Sequence, residues 1–546
     1  MAKPAPSTNG SLGNKSGWEA TGYDYRDNTI EGFPCLHEFQ IGGISLMPTV
    51  GELLTVPGLP SDTIKTGYRS RFSHENEVVK PGYYSVLLED YQIQAELTAT
   101  ERVAFQRFTF PQGQEKHILF NIGNRQGESG AVKDAYVVYN QDGTVEGWVI
   151  TEPEYVKKYQ PGAVVPLYFF AVLDKEPLNY GAYNGNVQQP GVRESKGVGA
   201  GMYFSFASEN QEVVTAKIGL SYTSVENARL NLQQEASDLD FDRAKERAQA
   251  TWEDYLGRIR VETECREDKV KFYTGLYHAL LGRGLASDVN GAYPRNDGSV
   301  GQLPMKEGTP LYNIYNTDAA WGAQWNLSQL WILAYPEYMS EYISSHLQAY
   351  KDAGWLADGL ANNRYVSGVG TNLLSTIIAS AYECGIRDFD TKIAYEACLK
   401  NELEGKNRPF GAGKVNTTEF VKYGYVPHQD AGEGYHETFM FSASHTLEYS
   451  YSAWAVAQWA KQLGDEAHYS QLMDLSKGWE RLYDSSCNFI RPKKADGKFV
   501  DNFDPMQVWR GFQEGNAWQY TFYVPHDVKS LVAKMGADEF NLRLDS

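Results

Sequence analysis

Near its C-terminal end the chain reads Gln513-Glu514-Gly515-Asn516-Ala517-Trp518-Gln519-Tyr520, followed by Val524-Pro525-His526-Asp527-Val528. One carboxyl, several amides and several aromatic rings share this short segment. A carboxyl can move protons or hold a cation, amides can read hydroxyls, and a Trp or Tyr face can stack on a sugar ring. That mixture suits a neutral, hydroxyl-rich substrate. Upstream, Thr446-Leu447-Glu448-Tyr449 opens a helical pattern with a second acid among aromatics. Two carboxyls in aromatic settings are what cleavage of a glycosidic bond requires. Taken singly, each acid also reads as an ordinary helix-terminal or surface residue.

Positioning such residues takes elements that the patterning lets us place. From Gly17 to Glu235 the period is two. Ile93, Ala95 and Leu97 alternate with polar residues, Val103 and Phe105 repeat the period, and Pro81-Gly82, Asp142-Gly143 and Pro161-Gly162 mark turns. Many short strands without intervening helices predict an antiparallel β-sandwich. Ile218 to Val225 reads as its last strand. At Asp240 the period changes to about 3.6. Phe241, Ala244, Ala248, Trp252 and Leu256 form an apolar stripe, with Asp240 placed to cap the helix. The expected organisation is a flexible tail over 1–16, a sandwich over 17–235, a linker helix within 236–264 and a helical domain over 265–546. Helices are predicted over 270–285, 338–351, 372–382, 391–402, 447–463, 466–483 and 526–534. Pairs of helices with long loops suggest an α/α toroid, although a solenoid has the same periodicity. The fold class is therefore α+β and multidomain.

With 546 residues, two large domains are expected. The formal net charge of -19 argues against nucleic acid or an anionic membrane as partner, and favours a neutral ligand or a cation. No apolar run approaches the ~20 residues of a membrane span. Cys35, Cys265, Cys384, Cys398 and Cys487 are scattered without zinc-ligand spacing, and their odd number excludes a disulfide framework. Residues 1–17 are polar and lack the apolar core of a signal peptide. Oligomeric state is not legible.

Several segments in one order resemble glycoside hydrolase family 92. They are Ser16-Gly17-Trp18-Glu19-Ala20-Thr21-Gly22-Tyr23, Thr29-Ile30-Glu31-Gly32-Phe33, Met47-Pro48-Thr49, Pro81-Gly82-Tyr83-Tyr84 and Glu96-Leu97-Thr98-Ala99-Thr100. Val225-Glu226-Asn227-Ala228-Arg229-Leu230-Asn231, Phe272-Tyr273-Thr274-Gly275-Leu276-Tyr277-His278, the Glu448 segment and the Glu514 segment follow. The resemblance implies a β-sandwich followed by an (α/α)6-type barrel and a calcium-dependent inverting α-mannosidase. It implies an oligosaccharide substrate, a terminal α-mannoside of a mannan or N-glycan, and export to the periplasm or cell surface. It makes Glu448 the general acid, with a raised pKa. It places Glu514 and Asn516 beside substrate and calcium, with Gln519 also on the substrate. His526 and Asp527 match the family too, but helix capping and loop packing explain them as well.

Two departures bear on function. The family's Gly-Asn-Asp-Asp stretch, which carries the acids that activate water, has no counterpart before Ser546, and no Pro-Gly-Ala precedes Trp18. The chain is thus expected to be an internal portion of a longer enzyme whose base lies elsewhere. The family's Trp-Asp-Thr with a following Arg is replaced by Trp321-Gly322-Ala323-Gln324-Trp325. On a helix Asp318 would share a face with Gly322, so Asp318 is the expected substitute carboxylate, with Trp321 and Trp325 lining the site. An aromatic helix packed on a core explains the same residues. Gly368-Val369-Gly370-Thr371-Asn372 lacks the Lys and preceding strand of a phosphate loop, and is expected to open a helix near the cleft. The alternatives are a glycan-binding protein on a degenerate hydrolase scaffold, or a different α/α-barrel glycosidase.

Overall fold

The computed structural model describes residues 1–12, 22–62, 65–207, 209–282, 284–367, 371–430 and 439–545. Trp18 with its neighbours, and Gly368 to Gly370, lie outside the described residues. Contacts divide the chain into two compact units, Met1–Thr317 with Ala361–Arg364, and Asp318–Leu360 with Tyr365–Ser546. The expected order, β-sandwich then helical domain, is what the structure has. Closure of the helices into a ring is no part of that finding.

The sandwich of the first unit is built from two large antiparallel sheets. The larger runs, in spatial order, Glu194–Lys196, Ala131–Tyr139, Thr144–Glu152, Val165–Leu173, Glu212–Ser221, Val103–Phe110, Ile93–Ala99, Tyr83–Leu88 and Val78–Lys80. The smaller runs Val187–Pro190, Asn179–Asn184, Ala200–Phe206, Lys116–Asn121, Ile41–Val50 and Phe33–Glu38. Ile93, Ala95 and Leu97 are buried, as their alternation requires. The two sheets meet where Gly43 lies against Val149; a Cβ on that glycine would stand 2.6 Å from Val149 Cγ1.

Residues after Ser221 depart from the expected strand. Ser224 caps a helix by accepting from the Asn227 amide, so Val225 starts a helix rather than ending the sheet. In chain order the helices of this unit are α1 (Glu154–Tyr159), α2 (Val225–Ala236), α3 (Phe241–Gly257) and α4 (Arg266–Leu280). Helices α2 and α3 pack on the large sheet through Val103, Phe105, Phe170, Ala228, Leu232, Phe241 and Ala244. Each such buried Leu, Val or Phe contributes about 1.5–3 kcal/mol. Gly219 admits α2, because a Cβ there would come within 2.3 Å of the Ala228 carbonyl. Asp240 caps α3 as its position predicts, accepting from Arg243 at 2.8 Å.

The expected flexible tail is another correction. The Met1 ammonium donates to the Glu101 carbonyl at 2.8 Å, Lys3 pairs with Glu38 at 2.6 Å, and Ser7 bridges to Gly32. The described part of the tail is bound to the sandwich by its own backbone donors.

The second unit contains α5 (Ala320–Ala323), α6 (Leu327–Ala334), α7 (Pro336–Ala353), α8 (Leu374–Glu383), α9 (Thr391–Leu403), α10 (Thr417–Tyr423) and α11 (Ser442–Leu463). After these come α12 (Glu466–Leu475), α13 (Gly478–Leu482), α14 (Ala517–Tyr520), α15 (Val528–Met535) and α16 (Ala537–Asp545). The helix expected over 466–483 is in fact two. Gly478 lies so close to α11 that a Cβ would stand 2.8 Å from Ser450 Oγ, and the chain breaks there to make the approach. Helix α11 is buried nearly all round. Ser442, Ala443, Ser444, Ser450, Ser452, Ala453 and Ala457 keep it narrow enough for α8, α9, α12 and α13 to pack on it. Gly464, at φ 70°, ends it in the left-handed region.

Candidate active site

Glu448 lies in the second turn of α11, not at its start, and is 1% exposed. No side chain caps the first turn. Instead the Gly511 carbonyl accepts from the Ala443 and Ser444 amides at 2.9 and 3.0 Å, satisfying donors the helix leaves over. This docks the loop carrying Glu514 onto the helix carrying Glu448. The Gln513 amide donates to Ser444 Oγ, and Gln513 Oε1 faces His445 Nε2 at 3.4 Å. Only glycine fits at 511, since a Cβ would meet Pro492 Cγ at 2.1 Å.

The two acids picked from sequence therefore reach one region of the fold. Tyr520 marks the connection. It donates to the Gln513 carbonyl at 2.8 Å, and burial followed by the charges of Glu448 and Glu514 pushes its phenol up. Their environments differ. Glu514 is exposed and held at φ 54°, an uncommon conformation for a carboxylate side chain.

Glu448 Oε1 accepts from Trp321 Nε1 at 2.7 Å. Oε2 is buried and has no hydrogen-bond partner among the described residues, as is also true of Thr371 Oγ1. Burial pushes the Glu448 carboxyl up to about 7, and the nearby charge of Asp358 adds to the effect. Trp321, the neighbouring Thr371 hydroxyl and the Lys414 ammonium oppose it. Thr371 lies near enough to favour the ionised form without forming a hydrogen bond of acceptable geometry.

An aromatic path leads from this carboxyl toward solvent. Trp321, half-buried on α5, meets Trp325 edge-on at 5.3 Å between centroids, and Trp325 meets Tyr523 at 5.9 Å. Trp325 is 53% exposed, which leaves a ring face for a ligand. Gln324 donates to the Tyr523 hydroxyl at 3.0 Å and fixes that ring.

Asp318 does not take the place expected of it. It is exposed, precedes the first residue of α5, and accepts from the adjacent Ala319 amide, so the helical face shared with Gly322 does not exist. The carboxylate near Glu448 is Asp358, fully buried and missed in the sequence because Asp358-Gly359 reads as a turn. Asn516 and Gln519 form a reciprocal capping box at the start of α14: Gln519 N donates to Asn516 Oδ1 at 3.2 Å, and Asn516 N to Gln519 Oε1 at 3.0 Å. Their amide nitrogens are what remain for a ligand. Asp527 caps α15, and His526 Nε2 meets the Ser476 carbonyl at 2.9 Å. Asn372 ties the Leu356 and Gly413 carbonyls to the start of α8, leaving Thr371 as the member of its segment beside Glu448.

Calcium takes six to eight oxygen ligands. Among the described residues no cluster of three or more Asp, Glu, His or Cys is placed to hold a metal. Glu514 supplies one exposed carboxylate, and the Asn516 oxygen is already an acceptor. By themselves Glu514 and Asn516 supply fewer oxygens than calcium takes. A cleft on the sandwich unit, lined by Glu52, Glu115, His117, Tyr180 and Tyr203, holds none of the residues selected above, and its histidine is fastened by Ser205 and Gly51.

A buried, protonatable carboxyl with one oxygen unengaged, beside exposed aromatic rings, can hand a proton to an oxygen of a ring-shaped ligand. Residues 1–221 match the Glycosyl hydrolase family 92 N-terminal domain, and residues 227–546 the Glycosyl hydrolase family 92 catalytic domain. The chain belongs to that family. It is similar to a family 92 α-mannosidase of Bacteroides thetaiotaomicron, with 25% identity, a TM-score of 0.88, and coverage of 100% of this chain and 71% of that one. The same mannosidase bound to mannoimidazole matches equally well, with 70% of its chain covered. A family 92 inverting mannosidase from that organism, 24% identical with a TM-score of 0.86, shares the fold over 100% of this chain and 70% of its own. An uncharacterized secreted glycosidase of Arthroderma benhamiae is 25% identical over 588 residues, covering 96% of this chain and 68% of the relative. No described helix is long and apolar enough to cross a membrane.

Proposed function

We propose that this protein cleaves a terminal α-linked mannose from a glycan, with Glu448 as general acid. The observation that carries the reading is the Glu448 carboxyl itself. Burial keeps it protonated near neutrality, Trp321 fixes one oxygen, and the other has no partner among the described residues. In the reaction that second oxygen gives its proton to the glycosidic oxygen as the bond to the sugar carbon breaks, and the aglycone leaves as an alcohol. The carboxylate left behind keeps the Trp321 hydrogen bond and feels the Lys414 charge. Trp325 and Tyr523 would stack on the substrate, with Glu514 at the exposed edge of the same region. The mannosidase relative solved with mannoimidazole supports mannose as the sugar. The relative described as secreted supports export. Inversion follows if water attacks from the opposite face, activated by a base not assigned to any residue here.

The test is mannose release from α-linked mannobioses. Glu448→Gln should lower kcat about 10²–10⁴-fold while leaving the fold intact. In the wild type kcat/KM should fall as pH rises through about 7, because the acid must be protonated. A glutamine variant keeping a tenth of the activity, or a wild type that releases no mannose, would sink the proposal.

A further inference from the structure

The segment Leu356–Gly359 is tied into the second unit from several sides. The Leu356 carbonyl accepts from the Gly413 amide and Asn372 Nδ2, Ala357 bridges to Ala412, and the Gly359 carbonyl accepts from Val366. Gly359 must be a glycine, since a Cβ would stand 2.7 Å from the Val366 carbonyl and 3.2 Å from the Ala319 amide. Between these ties sits Asp358. Its carbonyl and Oδ1 both accept from the Ala320 amide, at 2.9 and 3.1 Å, which is the first residue of α5. The next residue is Trp321, whose indole holds Glu448 Oε1 at 2.7 Å.

We propose that Asp358 is the positioning residue of this site: it fastens the turn that aims Trp321 at Glu448, and its charge shares the buried space Glu448 occupies. The acid and its hydrogen-bond donor thus depend on one aspartate remote in sequence from both. The other groups felt at Glu448, or facing it, are the Lys414 ammonium paired with Glu402, the Thr371 hydroxyl, and the phenols of Tyr449, Tyr520 and Tyr523. Lys414, though paired with Glu402, still favours the ionised form, and Asp358 is the charge that favours the neutral acid. A protonated carboxyl is what the proposed hydrolysis needs, and the inference rests on that reading.

The test reads the Trp321 indole directly. In protein labelled with ¹⁵N-tryptophan, its N–H resonance, assigned with Trp321→Phe, should follow the ionisation of Glu448 with a midpoint near 7. Asp358→Asn keeps an oxygen for the Ala320 amide but removes the charge. It should lower the midpoint by about one pH unit with the indole still hydrogen-bonded. Asp358→Ala keeps the backbone carbonyl bond to the Ala320 amide but loses the Oδ1 bond, and should shift the Trp321 indole resonance away from its wild-type position. An unmoved midpoint in the asparagine variant, or an unmoved resonance in the alanine variant, overturns the proposal. If the alanine variant does not fold, the asparagine variant decides alone. Because the readout needs no turnover, a protein that shows these shifts yet releases no mannose refutes the hydrolase reading and leaves the positioning role standing.

Discussion

Asp288 in the first unit and Glu448 in the second are both buried carboxyls, and burial raises both. They differ in what surrounds their oxygens. Asp288 Oδ2 accepts from Ser221 at 2.9 Å and from the Thr223 hydroxyl, and Oδ1 accepts from Asn231 at 2.7 Å. Those bonds favour the ionised form and knit the end of the last long strand to α2. Both carboxylate oxygens there are filled by donors of the protein itself. Glu448 has one donor and one unengaged oxygen. An unpaired polar atom in a protein interior costs about 1–3 kcal/mol, and folds retain such atoms where a ligand completes them. A buried carboxyl in itself therefore points to no function; what sets Glu448 apart is an unfilled oxygen beside exposed aromatic rings.

A third buried carboxylate sharpens the contrast and gives the largest expected effect. Glu402 holds Lys414 at 2.6 Å through both oxygens, and Ser452 donates to Glu402 Oε1 at 2.7 Å. Lys414→Met should destabilise the protein by about 3–5 kcal/mol in urea unfolding, because it strands a buried charge. Adding Glu402→Gln should recover most of that loss. A single variant as stable as the wild type would show the pair to be hydrated, and the comparison of satisfied with unsatisfied carboxyls would fail.

Next in size is a pH effect confined to Glu448. Its folded pKa, about 7, lies above the ordinary 4.5, so the folded state binds the proton more tightly than the unfolded state does. The resulting stabilisation is complete below 4.5 and disappears as pH rises through about 7. The wild type should lose about 3 kcal/mol relative to Glu448→Gln across that window. Denaturation midpoints of the two proteins at pH 4.5 and pH 8 check this. Parallel curves would mean that Glu448 is no more buried in solution than an ordinary carboxylate.

The smallest effect belongs to the satisfied site. Asp288→Ala removes the acceptor that Ser221, Thr223 and Asn231 share and should cost about 1–3 kcal/mol, with kcat/KM for mannobiose unchanged. A loss of turnover comparable to that of Glu448→Gln would place Asp288 in the chemistry and erase the distinction between the two regions.

Much of this was legible in the residue order. Ile93, Ala95 and Leu97 announced a half-buried strand, Asp240 announced the start of α3, and Gly464 falls where the apolar pattern of α11 stops. These features are local, since pleat, cap and left-handed terminus are set by a few consecutive residues. Glu448 and Glu514 stood out because their neighbours were aromatic and amide residues. Asp318 misled because helical spacing was assumed across a helix that starts two residues later. Asn516 and Gln519, three apart, already had the spacing of a capping box, a reading that competes with ligand binding for the same oxygens.

The sequence by itself determined the order of the sandwich and helical regions and the positions of the longer helices, and its resemblance to family 92 singled out Glu448. Periodicity encodes the element order directly, whereas the family and the acid are implied by the resemblance of ordered segments to family 92. Only the tertiary structure decided which oxygen of that acid is unengaged, which indole holds it, and that Asp358 rather than Asp318 supplies the second charge. Those facts depend on burial and on contacts between segments far apart in the chain, and a carboxyl's pKa and reactivity are set by that surrounding rather than by its neighbours in sequence.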